Sequence, residues 1–361
     1  MALSKIDTTN MIEDVPQSKL DNNINFRNII INGGMDIAQR GTSSTGITGG
    51  GYYTVDRFQT ILASQGTWTQ SQSTDVPTAQ GFAKSLKMDC TTADASPSAS
   101  DYLLILQKFE GQNLQYIKKG TSSAESLTLS FWVKSNKTGT YIAELYDNDN
   151  SRQISKSYTI DSASTWEKKT ITYAGDTTGA FDNDNASSLQ LTLWLGAGST
   201  YSSGTLSTTW TAQTSADRAV GQVNLADSTS NEWYITGVQL EAGTTASDFE
   251  FLPFDVNLRR CQRYFVENFQ GSAGQAYSSA NGVITLSHPV SLRANASVSQ
   301  KSGVSITIDI IGGSQNASSY GLSGSGHSTQ STCITVNGLS GRTTNQVLII
   351  ANNGTQLSAE L

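Results

Sequence analysis

Acidic residues form the densest group of side chains that could do chemistry in this sequence. The tetrapeptide DNDN occurs twice, with Asp147 and Asp149 in one copy and Asp182 and Asp184 in the other. Two carboxyl groups at the right separation are enough to hydrolyse a glycosidic bond, and oxygen ligands at alternate positions suit Ca²⁺. Asp and Asn are also typical of strand-connecting turns, because their side chains bond to nearby backbone. We interpret both copies as turns, with Ca²⁺ binding as the functional alternative and a hydrolase pair as the third.

Histidine and cysteine are too scarce for the common catalytic and metal sites. Only His288 and His327 are available for a triad or a histidine-rich metal site. Cys90, Cys261 and Cys333 are widely spaced, which indicates small core side chains rather than a disulfide framework or a zinc site. The sequence also lacks nucleophile-elbow, P-loop and dinucleotide-binding motifs. These observations predict a protein that is not an enzyme, has no catalytic residues and needs no cofactor.

Aromatic side chains are the stronger functional lead. Sugars stack their apolar faces on indole and phenol rings, while amides and carboxylates bind their hydroxyls. Most of the 6 tryptophans lie in apolar strand patterns, such as Trp132 and Trp233, and are expected in the core. Tyr201 and Trp210 instead lie in a Gly/Ser/Thr-rich connection of about three dozen residues, which is longer than most loops. We expect these two residues to bind glycan, with a loop anchor or a subunit contact as the alternative.

Composition narrows the class of protein. The 361 residues carry 15% charged side chains and a net charge of −7, with many Gly, Ser and Thr residues between short apolar runs. Such a pattern is typical of all-β proteins with many turns. The acidic balance argues against nucleic-acid binding, which needs clustered basic residues. No apolar run is long enough to span a membrane, so no membrane insertion is expected.

The elements that must position these residues are short strands. Residues 28–252 contain about ten strand patterns separated by turn signals, which predict a jelly-roll β-sandwich. The first of these patterns is expected at 28–40, with a turn at Gly33 and Gly34. Residues 266–361 predict a second, smaller β-sandwich, in which the low-complexity run 312–332 is either a flexible loop or the tip of an assembly.

Two further segments complete the predicted organisation. Residues 1–27 have too little apolar surface to fold alone and are interpreted as an extended arm that becomes ordered on a partner, with a frayed terminus as the alternative. Residues 253–265 predict a short amphipathic helix that acts as a hinge between the sandwiches. Its apolar residues include Leu258, Cys261 and Tyr264.

Four passages of the sequence resemble phage tail-fibre or virion structural proteins, particularly those of marine phages. The passages are the arm LSKIDTTNMIEDVPQSKL, FRNIIINGGMDIAQRGTS with YTVDRF, TGVQLEAGTTASDFEFLPF with LRRCQRYF, and LSHPVSLRANASVS with the terminal TQLSAEL. The resemblance implies a virion location and a homotrimer. In such a trimer, Leu258, Cys261 and Tyr264 of the predicted helix are candidates for contacts between subunits. The resemblance also implies that the arm docks on a tail adaptor, a nozzle or another virion protein.

Residues 28–252 also resemble jelly-roll carbohydrate-binding modules, which begin with an NGG turn and finish on a strand like YITGVQLE. The resemblance implies binding of host surface glycans without turnover. It also implies that Asp36 could bind a structural Ca²⁺, although Thr236 and Gly237 stand where acidic partners are expected. A tail fibre or adhesin is therefore the favoured function. A capsid-bound head fibre or decoration protein, and a surface-polysaccharide depolymerase, are the alternatives.

Overall fold

The computed structural model describes residues 26–361 apart from 268, 302, 303, 311, 312, 324, 325 and 353. This part of the chain is nearly all β, which confirms the predicted all-β fold class. The α-helices that it contains are α1 (Ser199–Ser202) and α2 (Phe254–Gln262). Among the described residues, no helix combines the length and the apolar character needed to cross a membrane.

Residues 28–252, all of which are described, form a sandwich of two six-stranded antiparallel sheets. In chain order its strands are β1 (Ser43–Ile47), β2 (Gln59–Ala63), β3 (Thr67–Ser73), β4 (Ser85–Thr92), β5 (Tyr102–Glu110), β6 (Leu127–Ser135), β7 (Gly139–Asp147), β8 (Arg152–Ile160), β9 (Glu167–Tyr173), β10 (Ser187–Ala197), β11 (Thr211–Ala212) and β12 (Glu232–Ala242). The first sheet has the order β1-β3-β4-β12-β6-β9, and the second has the order β11-β8-β7-β10-β5-β2.

The core between these sheets is formed by every second side chain of each strand. Successive side chains of a strand point to opposite faces, so alternate residues of each strand meet the facing sheet. Phe131 of β6 packs edge-on against Tyr158 of β8, with ring centroids 5.0 Å apart. Trp68 and Trp233 of the first sheet are fully buried in the same core. The jelly-roll core is therefore formed by residues of both sheets.

The segment 28–40 is not a strand pair, which corrects the prediction for this segment. The backbone of Asn32 and Met35 adopts positive φ angles of 63° and 64°, which are incompatible with an extended strand. Side chains supply the hydrogen bonds that a sheet would have supplied. The Gln107 side chain donates to the carbonyl of Ile31 (2.9 Å) and accepts from its amide (2.7 Å).

A second sandwich follows α2, with a three-stranded sheet (β13-β22-β16) and a seven-stranded sheet (β18-β17-β21-β14-β15-β20-β19). Its strands are β13 (Phe265–Glu267), β14 (Ala273–Ala276), β15 (Gly282–Ser287), β16 (Ser297–Gln300), β17 (Thr307–Ile310), β18 (Gly313–Asn316), β19 (Ser319–Leu322), β20 (Ser331–Asn337), β21 (Val347–Ile350) and β22 (Thr355–Ser358). Its hydrophobic core shares no residue with that of the first sandwich.

The low-complexity run 312–332 contributes strands, which corrects its interpretation as a flexible loop. Within this run, β18 pairs with β17, and β19 pairs with β20. Backbone hydrogen bonds do not depend on side-chain type, so a segment rich in Gly, Ser and Asn can still join a sheet whose neighbouring strands are already in place.

Ion pairs connect the two sandwiches at the level of α2. Arg263, just after α2, donates two hydrogen bonds to Glu110 of β5, at 2.7 and 2.6 Å, and Tyr264 donates a third. Near the end of the chain, Glu360 pairs with Arg57, whose side chain is fully buried. The junction is therefore held by charged groups that lose water when the sandwiches meet.

Candidate functional site

The outer face of the second sheet carries an apolar cluster separate from the core. Along β5, Leu103 and Ile105 point into the core, whereas Leu104 and Leu106 point outward. The strand register places Trp194 of β10 opposite Leu104. Strand alternation thus gives this sheet a second apolar surface on the side away from the first sheet.

The long connection between β10 and β12 folds over this face. Its short helix α1 carries Tyr201, whose ring meets Tyr102 edge-on with centroids 5.2 Å apart and lies 5.5 Å from Trp194. The amide of Ala219 donates to the carbonyl of Tyr201 (2.8 Å), which links two distant parts of the loop. The three aromatic rings are therefore contributed by two strands and one loop.

Charged groups border the aromatic rings. Arg218 of the loop donates two hydrogen bonds to Glu144 of β7, at 2.7 and 2.9 Å, and its guanidinium lies 5.2 Å from the Trp194 ring centroid. The Trp194 indole also donates to Glu144 (3.1 Å). Burial by itself would lower the pKa of Arg218, but Glu144 raises it above its ordinary value, so the guanidinium stays charged.

These groups surround a cavity of about 170 Å³, which we call the sheet groove. Its lining combines apolar and aromatic side chains with two polar ones: Ile61, Tyr102, Leu104, Leu106, Gln190, Trp194, Tyr201 and Arg218. Aromatic surface with a few convergent polar groups is the lining that small-molecule sites use. The eight lining residues include no carboxylate, so the sheet groove lacks the pair of acids that glycoside hydrolysis requires.

The two predicted glycan residues lie in different surroundings. Tyr201 lines the sheet groove, but Trp210 is not among its lining residues. Trp210 is partly buried against the main core, where its indole donates to the carbonyl of Ala174 (2.7 Å) and lies 5.5 Å from the Lys119 ammonium. Its contacts are those of a loop anchor, which is the alternative that the sequence left open.

The other groove residues were missed because each resembles an ordinary strand residue. Trp194 lies in the apolar run of β10, and Tyr102 begins the apolar run of β5. Both runs looked buried on each face. Only the pairing of β5 with β10 shows that alternate residues of the two strands share one outer face.

The two DNDN turns meet, but the carboxyl groups of the acidic Ca²⁺ candidates do not form a cluster among the described residues. Asp147 is buried and pairs with the ammonium of Lys119 (2.6 Å), which also contacts Asp176 (3.1 Å). The Asp149 carboxylate accepts a hydrogen bond from the backbone amide of Asp182 (2.9 Å).

The remaining two candidates also lie apart from any acidic cluster. Asp184 accepts from the amide of Ala186 (2.9 Å), as expected of a turn residue. Asp36 lies beside Gly34, where burial raises the pKa of its carboxyl. Within the described residues, no group of three or more metal-ligating side chains could hold an ion.

Helix α2 packs inward with the residues predicted for trimer contacts. Cys261 and Tyr264 are fully buried, in one cluster with Ile31 and Ile37 of the same chain, and Leu258 packs at its edge. Two of the three side chains therefore have their apolar partners within the chain, which corrects their assignment to a subunit surface. The segment is a packed joint between the sandwiches.

No protein-family model matches the sequence, and no curated protein matches it significantly. Solved structures that are similar to the chain include a tailspike domain and carbohydrate-binding modules. The enzymatically active domain of bacteriophage CBA120 tailspike protein 4 is 13% identical with a TM-score of 0.32, and the match covers 60% of this chain and 21% of the tailspike chain.

Two carbohydrate-binding domains give similar values. The N-terminal cellulose-binding domain of Cellulomonas fimi β-1,4-glucanase C is 12% identical with a TM-score of 0.28, covering 52% of this chain and 90% of that domain. A family 11 carbohydrate-binding module from Clostridium thermocellum, in complex with a β-1,3-1,4-mixed-linked tetrasaccharide, is 9% identical with a TM-score of 0.27. The match covers 57% of this chain and 99% of that module. Identities this low carry no information about what this chain binds.

Proposed function

We propose that this protein binds glycans through the sheet groove and does not turn them over. The observation that carries the proposal is the convergence of Tyr102, Trp194 and Tyr201 on one cavity that also contains Gln190 and Arg218. Pyranose rings have apolar faces that stack on aromatic rings, and their hydroxyls need amide and guanidinium donors. The sheet groove offers both kinds of contact, with side chains from strands β5 and β10 and from the loop that folds over them.

The absence of turnover is part of the proposal. Retaining and inverting glycosidases need two carboxyl groups on opposite sides of the bond that is cleaved. The carboxylate beside the sheet groove, Glu144, is engaged by Arg218 and Trp194 and therefore has no free oxygen directed at a ligand. This arrangement favours binding over the depolymerase alternative.

At a finer level, we propose a virion tail fibre or adhesin that binds host surface glycans. The support is the resemblance of the four sequence passages to phage tail-fibre proteins, together with a groove lined by aromatic side chains on a β-sandwich. A homotrimer would present three sheet grooves at once, so that weak contacts add through avidity. The docking arm proposed for residues 1–27 lies outside the described residues except for Phe26 and Arg27, which bond to the first sandwich. A head fibre or decoration protein would use the same binding groove.

A glycan array followed by calorimetry tests the binding function. Fluorescently labelled full-length protein is applied to an array of bacterial surface oligosaccharides, and the best ligand is titrated into wild-type protein and Tyr201→Ala. Loss of one stacking ring should weaken binding about tenfold, close to 1.4 kcal/mol. Tyr277→Ala removes an exposed tyrosine of the second sandwich and should leave the affinity unchanged.

Two results would contradict the proposal. One is an absence of binding to every oligosaccharide on the array, and the other is equal affinity of Tyr201→Ala and wild type for the best ligand. The mass in solution, measured by light scattering after size exclusion, tests the homotrimer separately, because a monomer would remove the avidity argument without affecting the sheet groove.

A further inference from the structure

A second and larger cavity lies where α2 meets the first sandwich. Its volume is about 370 Å³, within the range of small-molecule sites. The residues that matter for its chemistry are Phe26, Glu110, Asn113, Tyr116, Arg260 and Arg263, and we call it the helix cavity. It shares no residue with the sheet groove.

The charged side chains of the helix cavity differ in their partners: Glu110 has a counter-charge, whereas Arg260 has no ion-pair partner among the described residues. Arg263 and Tyr264 donate hydrogen bonds to the carboxylate oxygens of Glu110, and Arg263 also provides its counter-charge. Arg260 has no carboxylate within ion-pair distance among the residues that the structure describes. Its Nη2 donates a long hydrogen bond of 3.3 Å to the backbone carbonyl of Asn28.

A guanidinium in this position favours an anionic partner. Removing a cation from water costs free energy unless an opposite charge or several hydrogen bonds replace the water. Burial lowers the pKa of Arg260 below its ordinary value, and the nearby Glu250 offsets this effect only in part. Most of its five N–H donors remain available, and the planar guanidinium fork matches the two oxygens of a carboxylate.

Aromatic side chains beside Arg260 are unusually exposed. Phe26 is 57% exposed and Tyr116 is 48% exposed, and the Arg260 guanidinium lies 5.9 Å from the Phe26 ring centroid. Exposed rings next to a cation can stack on the apolar face of a ligand whose charged group meets the cation. The Asn113 side chain adds an amide to the cavity lining. The ligand should therefore combine an anionic group with a ring that has an apolar face and hydroxyls.

We propose that the helix cavity binds a sugar that carries a carboxylate, such as a uronic acid. The carboxylate pairs with Arg260, and the apolar face of the sugar ring lies against Tyr116. Glu110 is already neutralised by Arg263, and the two carboxylate oxygens of the nearby Glu250 accept hydrogen bonds from the backbone amides of Phe26 and Asn28. This site is distinct from the sheet groove and gives the protein a preference for acidic over neutral sugars at a second position.

Calorimetric titration of full-length protein tests the site, with Tyr201→Ala as the background so that the sheet groove contributes little. Sodium glucuronate should bind saturably, and glucose should bind at least about tenfold more weakly, because a charge-assisted pair is lost. Arg260→Gln should reduce glucuronate affinity about tenfold or more, and Arg260→Lys should retain part of it because the charge stays.

Arg259→Gln is the matched control, because Arg259 is the neighbouring residue of the same helix, is exposed and carries the same charge. It should leave the affinity for glucuronate within about twofold, since an exposed charge is screened by solvent. Near-ultraviolet circular dichroism and urea unfolding of each variant report whether the junction stays folded.

Three outcomes would overturn the proposal. The first is no saturable binding of glucuronate. The second is an equal effect of Arg260→Gln and Arg259→Gln, which would indicate diffuse attraction by positive charge. The third is an affinity for inorganic phosphate that equals the affinity for glucuronate, which would indicate a site for bare oxyanions. None of these outcomes bears on the sheet groove, so the two proposals can fail separately.

Discussion

Arg218 and Glu144 form a two-point ion pair between the long loop and the second sheet, with Nε–Oε1 and Nη2–Oε2 distances of 2.7 and 2.9 Å. The Glu144 side chain is fully buried, whereas that of Arg218 is partly exposed. Their separation of 74 residues means that the pair fixes a loop onto a distant strand. The same pair places the arginine at the edge of the sheet groove.

Replacing Arg218 with methionine should therefore destabilise the protein. The substitution leaves the buried Glu144 without a counter-charge, which costs about 3 kcal/mol in the free energy of unfolding. Urea unfolding followed by tryptophan fluorescence measures it. Lys118→Met breaks an exposed pair with Glu125 and should cost about 1 kcal/mol or less. An equal loss of unfolding free energy in the two variants would show that the buried pair contributes no more to stability than the exposed pair.

Trp210→Phe should weaken the loop but spare glycan binding. The change removes the hydrogen bond from the indole to the Ala174 carbonyl, at a cost of about 1 kcal/mol. Affinity for the best array ligand should stay within about twofold of wild type, because Trp210 does not line the sheet groove. Calorimetry of this variant beside Tyr201→Ala checks the assignment, and a large loss of affinity in Trp210→Phe would restore Trp210 as a binding residue.

Glu110→Gln should make the junction between the sandwiches less stable at neutral pH. Burial by itself would raise the pKa of Glu110, but hydrogen bonds from Arg263 and Tyr264 hold it below the ordinary value of 4.5. Loss of the charge-assisted bonds should cost about 2 kcal/mol at pH 7. The wild-type advantage is complete above the unfolded-state pKa and shrinks as the pH falls through the folded-state pKa, because the unfolded chain then binds the proton first.

Urea unfolding at pH 7, 5, 4 and 3 measures the difference between wild type and Glu110→Gln. Glu125→Gln, which changes an exposed carboxylate paired with Lys118, should differ from wild type by about 0.5 kcal/mol or less at each pH. A difference for Glu110→Gln that stays constant down to pH 3 would contradict the role of the charged pair.

Calcium should not stabilise the wild-type protein, because Lys119 already neutralises Asp147 and Asp176. An ion bound at a hundredfold excess over its Kd would add about 2.7 kcal/mol, so thermal unfolding with CaCl₂ and with EDTA detects such a site easily. We expect identical melting temperatures. Lys119→Met should lower stability by about 3 kcal/mol, since the buried Asp147 loses its counter-charge. If CaCl₂ raised the melting temperature of the wild-type protein, the aspartates would again be candidates for a Ca²⁺ site.

The sequence could predict most strands because their signal is local. About ten strands were expected in residues 28–252, and the structure has twelve strands there. The misses have physical reasons. β18 and β19 are built from Gly, Ser and Asn, which have weak strand preference, and are held by neighbouring strands. Trp132 was expected in the core, yet it is partly exposed, because it faces outward on β6.

Composition and local pattern thus determined, without the structure, that this chain is an all-β protein with two sandwiches and a short helix between them. The tertiary structure decided which residues meet. Tyr102 and Tyr201 come together only because β5 pairs with β10 and the long loop folds back over both strands. Arg260 and Tyr116 share a cavity only because α2 docks against the first sandwich. Contacts between distant segments depend on sheet register and loop path, and neither leaves a periodic signal in the sequence.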